Sequence, residues 1–297
     1  MPDLDRSLID ELRSPRPCVS FEFFPPKDEA GEEVLWRTIA DLEPLQPTFV
    51  SVTYGAGGTS QERTVRVTSR IAEESRLLAV GHLTLVGQSR DEIADVLKQY
   101  AAAGIHHVLA LRGDPQGGPR APWETHPGGM THAIDLVELA RDLGGFTIGV
   151  AAFPEGHPDA GGLDPCADVL VAKERAGAEF AITQLFFRAQ DYLDLRERVA
   201  ARGSDLPIMP GIMPILNFAQ VSRMAELSGA EIPREVLDVI EPVADDPAAV
   251  RERGIALATQ LCRELLAAGA PGLHFITLNR SKATVEIFET LRAEGLV

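Results

Sequence analysis

Eight short apolar segments recur along the chain from about residue 17 to its end, and they are rich in Val, Ile, Phe and Thr. Several of them end in Gly, Pro or Asn, which are typical turn residues. Because the segments are apolar on both faces, they are typical of parallel strands that helices cover. The predicted strands are Cys18–Phe24, Phe49–Tyr54, Leu77–Leu85, His107–Leu111, Thr147–Phe153, Phe180–Phe187, Pro207–Ile212 and Leu273–Leu278.

Longer segments with a period of about 3.6 residues lie between the predicted strands. In Asp91–Ala103, for example, Ile93, Val96, Leu97 and Tyr100 form one apolar stripe along a helix. The same pattern predicts further helices over Ala30–Leu42, Ser60–Glu74, Thr131–Leu143, Asp164–Ala176, Ala189–Ala201, Phe218–Leu227, Pro247–Ala268 and Lys282–Ala293.

The alternation of strands and helices predicts an α/β fold, a (β/α)₈ TIM barrel in a single domain. We expect residues 1–16 to form an N-terminal helix or extension and residues 17–297 to form the barrel. An open doubly wound sheet is the alternative, but its glycine-rich turn should follow the first strand. That place holds Phe23-Phe24-Pro25-Pro26 instead. Residues 230–246 are interpreted as an insertion and not as a linker to a second domain.

Charge and composition exclude several classes of protein. The chain has 28 basic and 44 acidic side chains, a formal net charge of −16, which argues against a nucleic-acid partner. It contains no apolar segment long enough to cross a membrane. The first residues lack the apolar core of a signal peptide, and Cys18, Cys166 and Cys262 lack disulfide or zinc spacing. These features predict a cytoplasmic protein.

Polar residues in or just after the predicted strands are the candidate site residues, because loops at the carboxyl ends of barrel strands surround one pocket. They are Glu22, Thr53, Tyr54, His82, Thr84, Arg112, Asp114, His157, Thr183, Gln184, Asn217, Gln220, Asn279 and Arg280, and the fifth predicted strand runs to Phe153 shortly before His157.

Glu22 lies between Phe21 and Phe23, and we expect these rings to desolvate its carboxylate. Desolvation would raise its pKa and suit it to donate a proton. The alternative is an outward-facing Glu22 paired with an arginine. Gln184 lies close to Phe186 and Phe187, and a buried amide there indicates a ligand. His82 alone could be a satisfied core histidine, and Arg112 and Asp114 could form a structural pair.

The strings SFEFFPPK (20–27), FVSVTYG (49–55), HLT (82–84), ALRGD (110–114) and FPEGHP (153–158) resemble methylenetetrahydrofolate reductases. So do AITQLFF (181–187), PGIMP (210–214) and HFITLNR (274–280). They follow the family's order over roughly residues 17 to 295, and this ordered set is far more specific than any one string. The chain resembles the bacterial type, which consists of the catalytic domain alone.

This resemblance implies a flavoprotein on a (β/α)₈ barrel that serves one-carbon metabolism and methionine biosynthesis. It implies reduction of 5,10-methylenetetrahydrofolate to 5-methyltetrahydrofolate, with FAD carrying hydride from NADH or NADPH in ping-pong order. The flavin does the hydride chemistry, and the protein positions and tunes it. Relatives form homo-dimers or homo-tetramers, so the same is expected here.

The resemblance also assigns roles to single residues. Glu22 resembles the general acid, and Asp114 resembles the catalytic carboxylate near the flavin. Gln184, Gln220 and Arg280 match folate-binding positions, and Gln184 also matches a nicotinamide contact. The positions that match FAD contacts are Thr53, Tyr54, Ala56, His82, Arg112, Gly113, Asp114, Ala133, Phe153, His157, Ala160, Asp168 and Lys173.

Two departures from the family pattern concern the cofactor. Phe153 replaces a tyrosine that many relatives carry, and the helix Asp164–Ala176 is interpreted as shorter than in relatives between Asp168 and Lys173. Fewer groups would then hold the FAD diphosphate. A folate reductase with a carrier other than FAD is therefore one alternative.

Two further alternatives remain open from the residues. A metal-dependent lyase or hydrolase on a TIM barrel could use Glu22, His82, Asp114 and His157 as ligands. A catalytically inactive folate-binding protein would leave Glu22 without a chemical role.

Overall fold

Parallel strands of the computed structural model, which describes residues 7–54, 61–115 and 121–297, form one closed sheet. Its strands are β1 (Cys18–Phe23), β2 (Phe49–Val52), β3 (Ala79–Thr84), β4 (His107–Leu111), β5 (Thr147–Ala152), β6 (Phe180–Thr183), β7 (Ile208–Met209), β8 (Gly211–Ile212) and β9 (Gly272–Ile276). Each pairs with its neighbours in the order β7-β6-β5-β4-β3-β2-β1-β9-β8.

Strands β7 and β8 are two halves of one barrel strand that Pro210 interrupts. β7 pairs with β6 and β8 pairs with β9, so the two halves together close the sheet. Proline has no N–H to donate, but the carbonyl of Pro210 still accepts a hydrogen bond from the His274 N–H at 3.0 Å. The predicted (β/α)₈ barrel is therefore confirmed, with its seventh strand divided.

Helices follow the strands around the barrel. The described helices are α1 (Leu8–Leu12), α2 (Glu29–Leu42), α3 (Gln61–Glu74), α4 (Arg90–Ala102), α5 (Ala133–Leu143), α6 (Leu163–Ala176), α7 (Ala189–Ala200), α8 (Phe218–Ser228), α9 (Arg234–Ile240), α10 (Pro247–Ala267) and α11 (Ser281–Ala293). The segment predicted as an insertion contains α9. In the described part of the chain, no helix has the length and apolar character that a membrane span requires.

Successive side chains of each strand point to opposite faces of the sheet, so the apolar core has one part between the sheet and the helices and another inside the barrel. Outward-facing residues such as Phe21, Phe23 and Phe275 are fully buried beneath the helices. Inward-facing Phe49 and Phe180 belong instead to an apolar layer inside the barrel.

Helix α1 completes this inner layer. Its residues Leu8 and Leu12 are each 2% exposed and pack in the same cluster as Cys18, Phe49 and Phe180. These three are the first residues of β1, β2 and β6, so α1 covers the amino-terminal end of the barrel interior. The carboxyl-terminal end is left for polar groups. The domain boundary at residue 17 stays a prediction.

Candidate active site

Glu22 lies at the carboxyl-terminal end of β1 and faces the barrel interior with two histidines around it. Its Oε2 atom is 3.4 Å from Nε2 of His274 on β9 and 3.6 Å from Nε2 of His82 on β3. The other ring nitrogen of His274, Nδ1, lies 2.7 Å from the hydroxyl of Ser20. Strands β1, β3 and β9 thus assemble a polar layer directly above the apolar interior.

The aromatic neighbours of Glu22 in the sequence are not its neighbours in space. Side chains alternate across a strand, so Phe21 and Phe23 face the helices while Glu22 faces the barrel interior. Burial alone would raise the pKa of Glu22, but the hydrogen bond from His274 and the electrostatic interactions with His82 and His274 outweigh it. The pKa of Glu22 is lowered, so the predicted increase is wrong.

His82 and its neighbours leave polar atoms unsatisfied at this layer. Burial lowers the pKa of His82 to about 4, so its imidazole is neutral near pH 7. Among the described residues, neither ring nitrogen of His82 has a hydrogen-bond partner, and the hydroxyls of Ser51 and Thr84 also lack one. Buried polar atoms normally have partners, so this arrangement favours a ligand over a satisfied core histidine.

A second cluster lies at the carboxyl ends of β4 and β5. The guanidinium of Arg112 donates to Asp159 Oδ2 at 3.0 Å and lies 5.0 Å over the ring of Trp123. Asp114 is partly buried, and burial raises its pKa although Arg112 and His157 oppose this.

Gly113 allows the chain to turn between Arg112 and Asp114. Its φ of +80° is in the left-handed region, which side chains other than glycine rarely adopt. A Cβ atom at this position would also lie 2.8 Å from Val86 Cγ1 and 2.9 Å from Thr84 Cβ. Any larger residue would therefore displace the ends of β3 and β4 from each other.

A buried lysine adds a second cation to this cluster. Lys173 of α6 is 8% exposed and donates through Nζ to the carbonyl of Ala151 at 3.2 Å. Burial lowers its pKa to about 8, with a smaller contribution from Arg112. Burial also lowers the pKa of His157, and Arg112 and Lys173 add to this effect, so His157 offers a neutral imidazole. Two cations beside an imidazole that can donate a hydrogen bond favour an anionic ligand.

Several other predicted cofactor residues surround these clusters. The N–H of Thr53 donates to Phe23 O at 2.9 Å, and the hydroxyl of Tyr54 accepts from Gln88 Nε2 at 3.5 Å. Phe153 packs edge-on against His157 with ring centroids 4.8 Å apart. Ala133 is the first residue of α5, and Ala160 lies in the β5–α6 loop; Ala56 falls outside the described residues.

The predicted folate residues lie on another part of the barrel mouth. Gln220, in the first turn of α8, and Arg280, the N-cap residue of α11, line one pocket. The apolar side chains of Met213, Leu216 and Ile276 line it too. Gln184 follows β6, and its Oε1 accepts from the N–H of Leu185 at 2.9 Å. A largely apolar pocket with one cation and the amides of Asn217 and Gln220 fits a flat molecule with an anionic group.

This chain matches a known family over almost its whole length. The family model for methylenetetrahydrofolate reductase matches residues 8–292. The chain belongs to the methylenetetrahydrofolate reductase family. A 5,10-methylenetetrahydrofolate reductase of Pectobacterium carotovorum subsp. carotovorum is 39% identical over 92% of this chain and 89% of that protein.

Two further similarities place the chain within this family and fold. A protein of Arabidopsis thaliana, methylenetetrahydrofolate reductase (NADH) 1, is 36% identical over 96% of this chain and 50% of its own length. An uncharacterized protein from Clostridium thermocellum that binds two copies of 5-methyl-5,6,7,8-tetrahydrofolic acid has a similar structure. Its TM-score is 0.69 at 15% identity, over 98% of this chain and 99% of that one. This second similarity concerns the fold.

Asp168 is separated from the other residues predicted to bind FAD in this methylenetetrahydrofolate reductase family member. Its carboxylate is 67% exposed and accepts from Nε of Arg202, in the turn that follows α7, at 2.6 Å. The helix therefore directs Asp168 toward α7, whereas Lys173 of the same helix is directed toward the barrel. The structure does not bring Asp168 to the cationic cluster.

The four residues considered as metal ligands do not form one centre either. Glu22 and His82 belong to the first cluster, whereas Asp114 and His157 belong to the second. Within residues 7–54, 61–115 and 121–297, no three His, Cys, Asp or Glu side chains are grouped as a metal site. The geometry gives no support to the metal-dependent lyase or hydrolase.

Sequence reasoning assigned no role to Ser20 and His274, which contact each other and flank Glu22. The signal was present, because Ser20 and Glu22 are two residues apart and share one face of β1. For His274 the register with β1 was needed. Ser20 pairs with His274 across β1 and β9, and a sequence alone does not define this pairing.

Proposed function

We propose that this protein reduces 5,10-methylenetetrahydrofolate to 5-methyltetrahydrofolate, with FAD passing electrons from NADH or NADPH. The observation that carries the proposal is Glu22, an acid at the barrel mouth with His274 and His82 within 3.6 Å of its Oε2 atom. Membership of the family supports the substrate, and so do the names of the relatives. The name of the Arabidopsis thaliana relative supports NADH as the donor.

The described residues fit FAD in chemical terms. Arg112 and Lys173 provide the positive charge that a diphosphate requires, His157 provides an imidazole that can donate a hydrogen bond, and Lys173 is held in place by the carbonyl of Ala151. The unsatisfied His82 and Thr84 side chains provide polar contacts at the barrel mouth. FAD held by these residues would supply hydride transfer between the nicotinamide and the folate carbon.

Glu22 supplies the proton that opens the methylene bridge of the substrate. Protonation of a bridge nitrogen allows the carbon–nitrogen bond to break, and its electron pair remains on that nitrogen. The carbon becomes an iminium cation that can accept hydride. Near pH 7 the free carboxylate is ionised, but a folate ring bound over it would exclude water and favour the protonated acid. The hydroxyl of Ser20 and the imidazole of His274 provide a route by which that proton reaches Glu22.

Asp114 and the α8–α11 pocket have separate tasks in this proposal. A carboxylate at Asp114 stabilises the positive charge that develops on the iminium carbon. Gln220 and Arg280 bind the rest of the folate, with the guanidinium directed to its carboxylates. Folate binding is thus assigned to residues at the starts of α8 and α11, and proton transfer is assigned to Glu22 on β1.

The experiment that tests this function separates the two half-reactions. We expect FAD-loaded protein to be bleached anaerobically by NADH and reoxidised by methylenetetrahydrofolate. Glu22→Gln should leave bleaching by NADH near the wild-type rate and slow the folate step by about 10²–10⁴-fold. Glu179→Gln is the matched control, because Glu179 lies before β6 at the other end of the barrel and is exposed. Full folate turnover in Glu22→Gln, or absence of flavin uptake and folate turnover in the wild type, would contradict the proposal.

Assembly, compartment and domain boundary stay predictions. A homo-dimer or homo-tetramer, a cytoplasmic location and a barrel that begins at residue 17 are consistent with the proposed small-molecule reaction. Sedimentation of the purified protein would determine the number of subunits.

A further inference from the structure

The turn after β9 has an unusual backbone next to the pocket that contains Arg280. Leu278 has φ +50° and Asn279 has φ +56°, two consecutive non-glycine residues in the left-handed region. Each such residue is disfavoured, although asparagine tolerates this region better than most. Surrounding contacts must therefore hold the turn in place.

The side chain of Asn279 makes two of these contacts with a single residue of the β1–α2 loop. Its Oδ1 accepts from the Phe24 N–H at 2.9 Å, and its Nδ2 donates to the Phe24 carbonyl at 2.8 Å. Backbone pairing between β1 and β9 ends at Glu22 and Ile276. The primary amide of Asn279 therefore acts as a substitute peptide group that extends the pairing beyond the last strand residues.

Two threonines connect the same turn to Glu22 and to α2. The hydroxyl of Thr277 donates to the Glu22 carbonyl at 2.7 Å and accepts from the Asn279 N–H at 3.1 Å. The hydroxyl of Thr38 donates to the Asn279 carbonyl at 2.9 Å. The backbone of Glu22 and the turn that leads into Arg280 are therefore held as one unit.

From this geometry we propose that Asn279 is a positioning residue for the folate step, and this proposal rests on the proposed function. Its amide sets the position of the turn, and through it the positions of Leu278 and Arg280 in the pocket relative to the Glu22 carboxylate. The proton donor Glu22 lies near the end of β1, and the folate-binding Arg280 lies after the adjacent strand β9; the backbone pairing of these strands ends before the loops that follow them. The side chain of Asn279 connects the two loops through its hydrogen bonds to Phe24.

The proposal predicts an effect on one half-reaction only. The cationic cluster assigned to the cofactor lies on β4, β5 and α6, whereas Asn279 contacts the ends of β1 and β9. Loss of the Asn279–Phe24 pair should displace the folate pocket without disturbing this cluster. A residue needed only for folding would lower stability and leave the kinetic constants of both half-reactions unchanged.

The test uses two substitutions of the FAD-loaded protein. Asn279→Gly removes the pair but relieves the left-handed backbone, and Asn279→Asp keeps the shape but places a carboxylate against the Phe24 carbonyl. We expect each to raise the KM for methylenetetrahydrofolate roughly tenfold. Asn279→Gly loses both hydrogen bonds to Phe24, whereas Asn279→Asp keeps the acceptor for the Phe24 N–H, loses the bond donated by Nδ2 and places two oxygen atoms against each other. Reduction of the flavin by NADH should stay at the wild-type rate. Hydrogen exchange of the Phe24 amide should accelerate in Asn279→Gly.

Asp246→Ala is the matched control, because Asp246 also accepts two backbone hydrogen bonds, at 3.0 and 3.2 Å, but lies at the exposed start of α10. It should destabilise the protein without changing the KM for folate. An unchanged folate KM in both Asn279 variants of an active enzyme would overturn the role of Asn279 alone. A wild-type protein without folate turnover would overturn the proposed function first, and the Phe24 exchange rates would still report whether the pair exists.

Discussion

At the scale of residues, the alternation of side chains along β1 determines which groups surround the Glu22 carboxylate. Its sequence neighbours Phe21 and Phe23 face the helices, so the groups that control its proton come from other strands. His274 and His82 lower the pKa of Glu22 against the effect of burial. The ionised state of this carboxylate in the free protein thus depends on two imidazoles.

Replacing His274 should change the pH dependence of the folate step. His274→Phe removes the hydrogen bond and the charge near Glu22 but retains a ring that can stack on Phe49, 5.7 Å away. The pKa of Glu22 should rise. Because a general acid must be protonated, the rate falls as pH rises through this pKa, and the basic limb of the profile should move to higher pH. Single-turnover folate reduction measured from pH 6 to 9 gives the profile, and a shift to lower pH would contradict this assignment.

At the scale of elements, α1 and the divided seventh strand modify an otherwise regular barrel. The predicted strands and helices agree with the observed ones in order and type, and differ mainly at their ends. Pro210 divides the strand predicted over Pro207–Ile212, since it cannot donate to the ladder. Helix α1 is short, and its contribution comes from two leucines that cover the apolar interior.

Truncating one of these leucines should cost stability without affecting catalysis. Leu12 is 2% exposed, so Leu12→Ala should lower the free energy of unfolding by about 2–4 kcal/mol. Urea denaturation measures this change. Kinetic constants of the folded variant should match the wild type because α1 is at the end of the barrel opposite Glu22. The exposed Val34→Ala provides a control that should change stability by less than about 1 kcal/mol.

At the scale of the whole molecule, buried histidines connect the barrel to the pH dependence of its stability. Burial lowers the pKa values of His82 and His107 to about 4, against roughly 6.5 in an unfolded chain. Between these values the unfolded chain binds more protons than the folded one. Stability is therefore lost as pH falls through this window. Asp114 and Glu155 have raised pKa values and act in the opposite direction, so they offset part of the loss.

We expect the free energy of unfolding to be lower at pH 5 than at pH 7 by roughly 2–4 kcal/mol. Urea denaturation at pH 7, 6 and 5 provides the measurement. His107→Gln should reduce the slope to about half, since one of the two histidines with strongly lowered pKa values is then gone. A stability that stays constant or rises on acidification would show that these histidines can be protonated in the folded protein.

Much of the barrel and part of its site followed from the sequence. Apolar segments with turn residues and helical stripes defined the (β/α)₈ fold, because strand and helix periods are local properties of the chain. Glu22, His82 and Asp114 were predicted at strand ends, and the structure places them there. The family resemblance, which is a property of the sequence, was confirmed as well.

Only the tertiary structure decided which polar groups face one another. The contacts of His274 with Ser20 and Glu22 and of Asn279 with Phe24 depend on the register between strands more than 250 residues apart. The approach of His82 to Glu22 depends on the arrangement of β1, β2 and β3 in the barrel. The orientation of Asp168 toward Arg202 depends on how α6 packs on α7. The hydrophobic pattern along the chain indicates which face of a strand or helix a side chain occupies. The partners of that side chain depend on strand register and helix packing, which bring distant segments of the chain together.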